Sequence, residues 1–88
     1  MIVTRHTQFR KNFKKRIASN ATLGKKFQDR LSLFITDRTH SQLQDHRLIG
    51  KWQGFRAFSV TGDIRVIYRQ KNSNTIELYD IGTHNQVY

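Results

Sequence analysis

From Phe55 to Ile81 the chain reads FRAFSVTGDIRVIYRQKNSNTIELYDI, and no other stretch restricts the possible fold as much. β-Branched and aromatic residues recur at 55–60, 64–69 and 75–81, and turn-forming Thr61-Gly62-Asp63 and Asn72-Ser73-Asn74 separate the three runs. Parallel strands need a crossover of about a dozen residues or more, so strands this close pair only as antiparallel hairpins. Residues 48–52, followed by Gln53-Gly54, read as a further strand leading into the first hairpin.

The N-terminal half has a different period. Met1 to Arg5 alternates weakly and reads as a short strand. From Thr7, the expected N-cap, Phe9, Phe13 and Ile17 fall one helical turn apart, with Arg10, Lys11, Lys14, Lys15 and Arg16 around them. Ser19-Asn20 interrupts this helix. A second helix, with Thr22 as its expected cap, carries a stripe of Leu23, Phe27, Leu31 and Phe34 or Ile35. The polar stretch 37–44 leads to the strands. The expected fold is therefore α+β and a single domain, 1–88. An N-terminal strand and two-helix hairpin pack on a curved antiparallel sheet of about four strands. Thr83 can cap a short C-terminal helical turn that sets His84 and Tyr88 on one face.

Composition limits the function. Sixteen Lys and Arg against six Asp and Glu leave a formal charge of +10, the balance of a domain that meets phosphate backbones or an acidic partner. With no cysteine there is neither a disulfide framework nor a thiolate metal site. The four histidines, His6, His40, His46 and His84, form no HxH or HxxxH pair, and no metal or other cofactor is expected. No apolar run approaches the ~20 residues of a membrane span, and the first residues lack the apolar core of a signal peptide. A cytoplasmic location is the default.

Metal-free RNA cleavage needs a base, an acid and a cation facing the phosphate. His46 lies at the start of the sheet region and His84 just after the last strand; Asp63 opens a hairpin strand. Each also has an ordinary reading, as a loop histidine or a turn aspartate. Trp52, Arg56 and Arg65 could stack on bases or pair with phosphates. His6 and His40 stand apart as surface residues. These features alone describe a basic α+β domain suited to RNA.

Three motifs in order narrow this. Asp45-His46-x-Leu48-x-Gly50-x-x-x-Gly54-x-Arg56, then Asp63 before Ile67-Tyr68, then Gly82-Thr83-His84, resemble the RelE/ParE toxin superfamily and its YafQ-like branch. The resemblance is specific over 45–88 and general over the N-terminal half. It implies a RelE-like fold and a toxin of a type II toxin–antitoxin pair. Such a toxin is a ribosome-dependent mRNA endoribonuclease, cutting A-site mRNA by metal-independent 2′-hydroxyl attack and inhibiting translation. It also implies a catalytic set of His84, Asp63, His46 and Arg56, with Tyr88, Trp52, Arg65 and Lys51 binding substrate. His84 would protonate the leaving oxygen, and His46 or Asp63 would activate the 2′-hydroxyl. The branch often carries a further histidine four residues before the aspartate; here that position is Ser59. The implied partners are the ribosome and mRNA, with no membrane. A cognate acidic antitoxin, itself a DNA-binding repressor, would meet the face carrying Lys11, Lys14, Lys15, Lys25 and Lys26. The alternatives are a ParE-like gyrase inhibitor and a non-catalytic nucleic-acid-binding protein.

Overall fold

Arg5 and His6 mark the first change of backbone geometry. The computed structural model describes residues 1–88. Strand β1 spans Ile2–Arg5 and is followed by helices α1 (Thr7–Arg16) and α2 (Ala21–Thr36). Both caps sit one or two residues before their expected positions. His6 Nδ1, not Thr7, accepts from the Gln8 N–H at 3.0 Å. Asn20 Oδ1, not Thr22, accepts from the Leu23 N–H at 3.1 Å. Asparagine is among the best cap residues, and starting there draws Thr22 into the first turn. His6 and His40, read from sequence as surface residues in no constellation, thus have local work. His40 Nδ1 accepts from Gln42 N–H at the head of a 3₁₀ turn, Ser41–Leu43.

Strands β2 (His46–Arg47), β3 (Arg56–Ser59), β4 (Ile64–Asn72) and β5 (Thr75–Thr83) follow, and helix α3 (His84–Val87) ends the chain. The sheet order is β1-β5-β4-β3-β2. The expected antiparallel hairpins are present, but the sheet has five strands and is mixed. β1 runs parallel to β5, with Ile2 opposite Thr75 and Arg5 opposite Leu78. The intervening chain provides the long connection that a parallel pair requires. Residues 48–52 are not a strand. Gly50, at φ +69°, breaks the extended backbone, and Gly50–Trp52 forms a 3₁₀ turn.

The two faces of the sheet are covered differently. Against one lie Phe9, Ile17, Phe27 and Phe34 of the helical hairpin region, packed on Phe58, Val66, Tyr68, Ile76, Leu78 and Ile81. Two carboxylates, buried Asp80 and half-buried Asp45, organise polar groups there. Asp80 accepts from Gln8 Nε2 (3.1 Å), Asn12 Nδ2 (2.7 Å) and Arg16 Nη1 (3.5 Å), which ties α1 to β5. Asp45 accepts from Tyr68 Oη at 2.6 Å, Arg56 Nε at 3.2 Å and Arg38 Nε at 3.4 Å. Burial, then the bond to Asp45, push the Tyr68 hydroxyl from 10.0 up to about 12, because the phenolate would face a carboxylate in a dry site. The opposite face has only a small cluster, Leu48, Ala57, Ile67 and Val87, flanked by Trp52, Phe55 and Tyr88. The sparsely covered face carries the site.

Candidate functional site

Local chemistry folds the C-terminus back onto the sheet. The Thr83 hydroxyl accepts from the Gln86 N–H (3.3 Å), and the Gln86 side chain accepts from the Thr83 N–H (2.8 Å), a capping box that starts α3. Gly82 leaves room for this return. A Cβ there would stand 2.7 Å from Gln86 Oε1 and 2.8 Å from an Arg16 nitrogen. One turn on, the Tyr88 N–H reaches the His84 carbonyl at 2.9 Å, and the two rings meet edge to face at 4.7 Å. The tail is anchored twice. Val87 is buried, and the Trp52 indole N–H donates to its carbonyl at 2.8 Å.

Trp52 therefore links the 3₁₀ turn to the helix that carries His84 and Tyr88. Its ring also packs edge to face on Phe55 (5.2 Å) and Tyr79 (5.5 Å). Between the turn and the tail lies an open groove of about 470 Å³, lined by His46, Arg47, Leu48, Ile49, Lys51, Trp52, Arg65, His84 and Tyr88. Six of the eight residues expected at the site line it. Arg47, Leu48 and Ile49 were not among the expected site residues. Their signal was adjacency to His46 and to Gly50, whose left-handed backbone redirects the chain.

Three side chains set the chemistry of the groove. His46 Nδ1 lies 2.8 Å from the Gln44 carbonyl. A carbonyl can only accept, so Nδ1 carries a proton, and in the neutral ring the lone pair is on Nε2. Arg65, on β4, stands opposite Ser59 on β3 and Gly82 on β5. Its guanidinium carbon is 5.7 Å from the Tyr88 ring centroid. Arg65 Nε and Tyr88 Oη are buried and have no hydrogen-bond partner in the protein. The two atoms themselves are covered, while the rest of both side chains lines the groove, so a cation and an aromatic ring face it together. Lys51 Nζ is 5.9 Å from the Trp52 ring, adding a second cation at the rim.

Asp63 and Arg56 do not line the groove. Asp63 is exposed in the β3–β4 turn; its N–H donates to Thr61 Oγ1 at 3.1 Å. Because Ile64 pairs with Thr83, Asp63 and His84 lie one residue beyond that pair, at the same end of the sheet. Arg56 is bound to Asp45 and Tyr68, both part of the helix-side packing. Burial opposes its charge, but the Tyr68 hydroxyl and the Asp45 carboxylate outweigh that, and its pKa is raised. Ser59 donates to Gln44 Oε1 at 3.3 Å, beside the residue that orients His46. No three His, Asp or Glu side chains come together as a metal-binding group. A larger open depression, about 570 Å³, lies along α2 among Thr22, Lys25, Lys26, Asp29, Arg30 and Gln42. It has basic character but no acid–base pair like that of the groove.

The five-stranded sheet, the helices on one face and the groove on the other define an α+β fold of the RelE/YafQ toxin type. A family model described as "Bacterial toxin of type II toxin-antitoxin system, YafQ" matches residues 1–88, and the chain belongs to that family. Among solved structures, YafQ from Escherichia coli BL21(DE3) superposes with a TM-score of 0.81 at 22% identity, covering 98% of this chain and 96% of that one. YafQ in the E. coli DinJ–YafQ complex gives 0.78 at 23% identity, covering 98% and 96%. A YoeB/ParE toxin from Agrobacterium tumefaciens gives 0.78 at 16%, covering 96% and 99%. A comparison with curated proteins gives no match.

Proposed function

We propose that this YafQ-family toxin is a ribosome-dependent endoribonuclease that cuts A-site mRNA without a metal ion and so inhibits translation. The observation that carries the reading is one groove that gathers two histidines, His46 and His84, with the Arg65–Tyr88 pair. RNA brings a phosphate to such a pair and a 2′-hydroxyl to the adjacent base.

The steps use side chains of this chain only. His46 Nε2 takes the proton of the 2′-hydroxyl, whose oxygen bonds to the neighbouring phosphorus. Arg65 faces the phosphorane as charge builds on its oxygens, and the Tyr88 hydroxyl donates to the same group. The P–O5′ bond breaks, His84 delivers a proton to the departing 5′-oxygen, and a cyclic 2′,3′-phosphate and a free 5′-hydroxyl result. Lys51 and Trp52 hold flanking phosphate and base. Asp63 lies at the same end of the sheet as His84, and Arg56 fixes the Asp45–Tyr68 framework behind β2 and β3. The cross-strand pair of Ser59 with Arg65 supports a shift of work: a cation stands opposite the position where the branch often has a histidine.

A cognate antitoxin belongs to this reading, since a relative of the same fold forms the E. coli DinJ–YafQ toxin–antitoxin complex. A basic toxin fits an acidic segment that folds on binding, in a protein that also represses its operon. The exposed lysines of α1 and α2 are the surface for it, and the same lysines suit ribosomal RNA.

The test is primer extension on a reporter mRNA with wild type and His84→Ala on translating ribosomes. In-frame cuts with cyclic-phosphate and 5′-hydroxyl ends, lost in His84→Ala, are expected. Growth arrest of equal strength by the variant, with intact mRNA, would instead favour a gyrase-directed or purely binding toxin.

A further inference from the structure

Ile49 is the most exposed large apolar residue of the chain, at 86%, against 55% for Met1, 53% for Ile2 and 47% for Ile35. Single exposed aliphatics are ordinary on protein surfaces and by themselves mean nothing. Ile49 differs in where it is and in how it is held. It lines the groove, between Arg47 and Lys51, which line it too.

Its backbone is tied on both sides. Leu48 before it is buried, and its N–H donates to the Phe55 carbonyl at 3.0 Å. Gly50 after it takes φ +69° and accepts from the Gln53 N–H at 3.1 Å; the Phe55 N–H closes on the Trp52 carbonyl at 2.9 Å. Through the Trp52–Val87 bond the same loop joins the helix of His84 and Tyr88. The loop is therefore built to hold an isoleucine out of the core at a set distance from the reacting groups. A folded chain gains nothing from this, because burying the side chain would take its apolar surface out of water.

We infer that Ile49 contacts the face of a nucleobase of the RNA in the groove and is a specificity-determining residue, while Arg47 and Lys51 hold the phosphates on either side. This rests on the endoribonuclease reading. The chemistry is direct. A base face is apolar and flat, and a branched aliphatic packed on it excludes water, as wedge and stacking side chains do elsewhere. Bases differ in area and in substituents, so the contact discriminates among them, whereas a lysine on a phosphate treats every sequence alike.

The test uses wild type, Ile49→Ala, Ile49→Phe and Lys51→Ala on ribosomes programmed with mRNAs that differ only in the A-site codon, with cleavage rates measured codon by codon. Because Ile49 is exposed, Ile49→Ala keeps the wild-type melting temperature. Its rate is expected to fall about tenfold on the best codons and less on the poorest, so the ranking flattens. Ile49→Phe re-orders the ranking. Lys51→Ala lowers every rate by a common factor. Wild-type rates and ranking in Ile49→Ala would overturn the inference, as would a uniform fall matching that of Lys51→Ala. If wild type cuts no codon, the endoribonuclease reading itself fails, and that result cannot be confused with the first two.

Discussion

The two faces of one sheet have been given opposite designs. Behind it, thirteen buried residues form a continuous core, and the Asp80 and Asp45 carboxylates each accept at least three hydrogen bonds. In front, four buried residues support a groove in which Arg65 Nε and Tyr88 Oη have no partner. An unpaired buried donor costs about 1–3 kcal/mol, so a chain of 88 residues can tolerate it only where the other face is fully satisfied. The core and the groove thus draw on residues that alternate along the same strands: Val66 and Tyr68 point one way, Arg65 and Ile67 the other.

Substitutions on each face should separate the two properties. The largest stability effect is expected for Phe34→Ala, which removes a ring stacked on Phe58 at 4.7 Å. Unfolding by denaturant should report a loss of about 3–5 kcal/mol. His84→Ala should do the reverse: cleavage falls about 10²–10⁴-fold, while the denaturation midpoint stays within experimental error. A comparable loss of stability in His84→Ala would break the comparison.

Trp52→Phe tests the seam between the faces. It keeps an aromatic ring against Phe55 and Tyr79 but removes the bond to the Val87 carbonyl. A stability cost of about 1 kcal/mol is expected, with a cleavage loss several times larger than that cost would explain, because the tail is no longer pinned beside the groove. Amide exchange at Tyr88 would report the loosening.

The pH dependence is a milder probe of the back face. The Tyr68 pKa is raised in the folded chain, from 10.0 to about 12, so folding favours the protonated phenol. That contribution is fully present below pH 10 and is lost as the pH rises from 10 towards 12. Wild type should therefore lose stability relative to Tyr68→Phe over that window, and a pH-independent difference would show that folding does not raise the Tyr68 pKa. The smallest effect belongs to Lys25→Ala. Its pair with Asp29, at 3.6 Å, is exposed, so the change should stay within about 0.5 kcal/mol.

How far the chain could be read before folding depended on how local each cause was. Hairpins announced themselves through Thr61-Gly62-Asp63 and Asn72-Ser73-Asn74, and the helices through Phe9, Phe13 and Ile17 and the Leu23–Phe34 stripe. The motifs around His46 and His84 pointed at the groove, although they lie 38 positions apart. What failed was anything needing a distant partner or a single odd torsion. The parallel β1–β5 pair joins the two ends of the chain, and nothing in Met1–Arg5 names its neighbour. Residues 48–52 have strand-like composition, yet Gly50 at φ +69° turns them into a 3₁₀ loop. Arg56 belonged to the motif that carried the resemblance and Arg65 did not, yet strand alternation sends Arg56 to Asp45 and Tyr68 and Arg65 to the groove.

The sequence by itself determined an α+β toxin-type domain, a strongly basic surface and the residue types an RNA-cleaving groove would need, because periodicity, turn chemistry and charge are properties of short segments. Only the tertiary structure decided which cations face the groove and which are consumed in structural pairs, that His46 presents Nε2, and that Arg65 and Tyr88 are left with unmet hydrogen bonds. Those outcomes follow from register and burial. Both are set by contacts between segments far apart in the chain, where a shift of one residue sends every side chain to the opposite face.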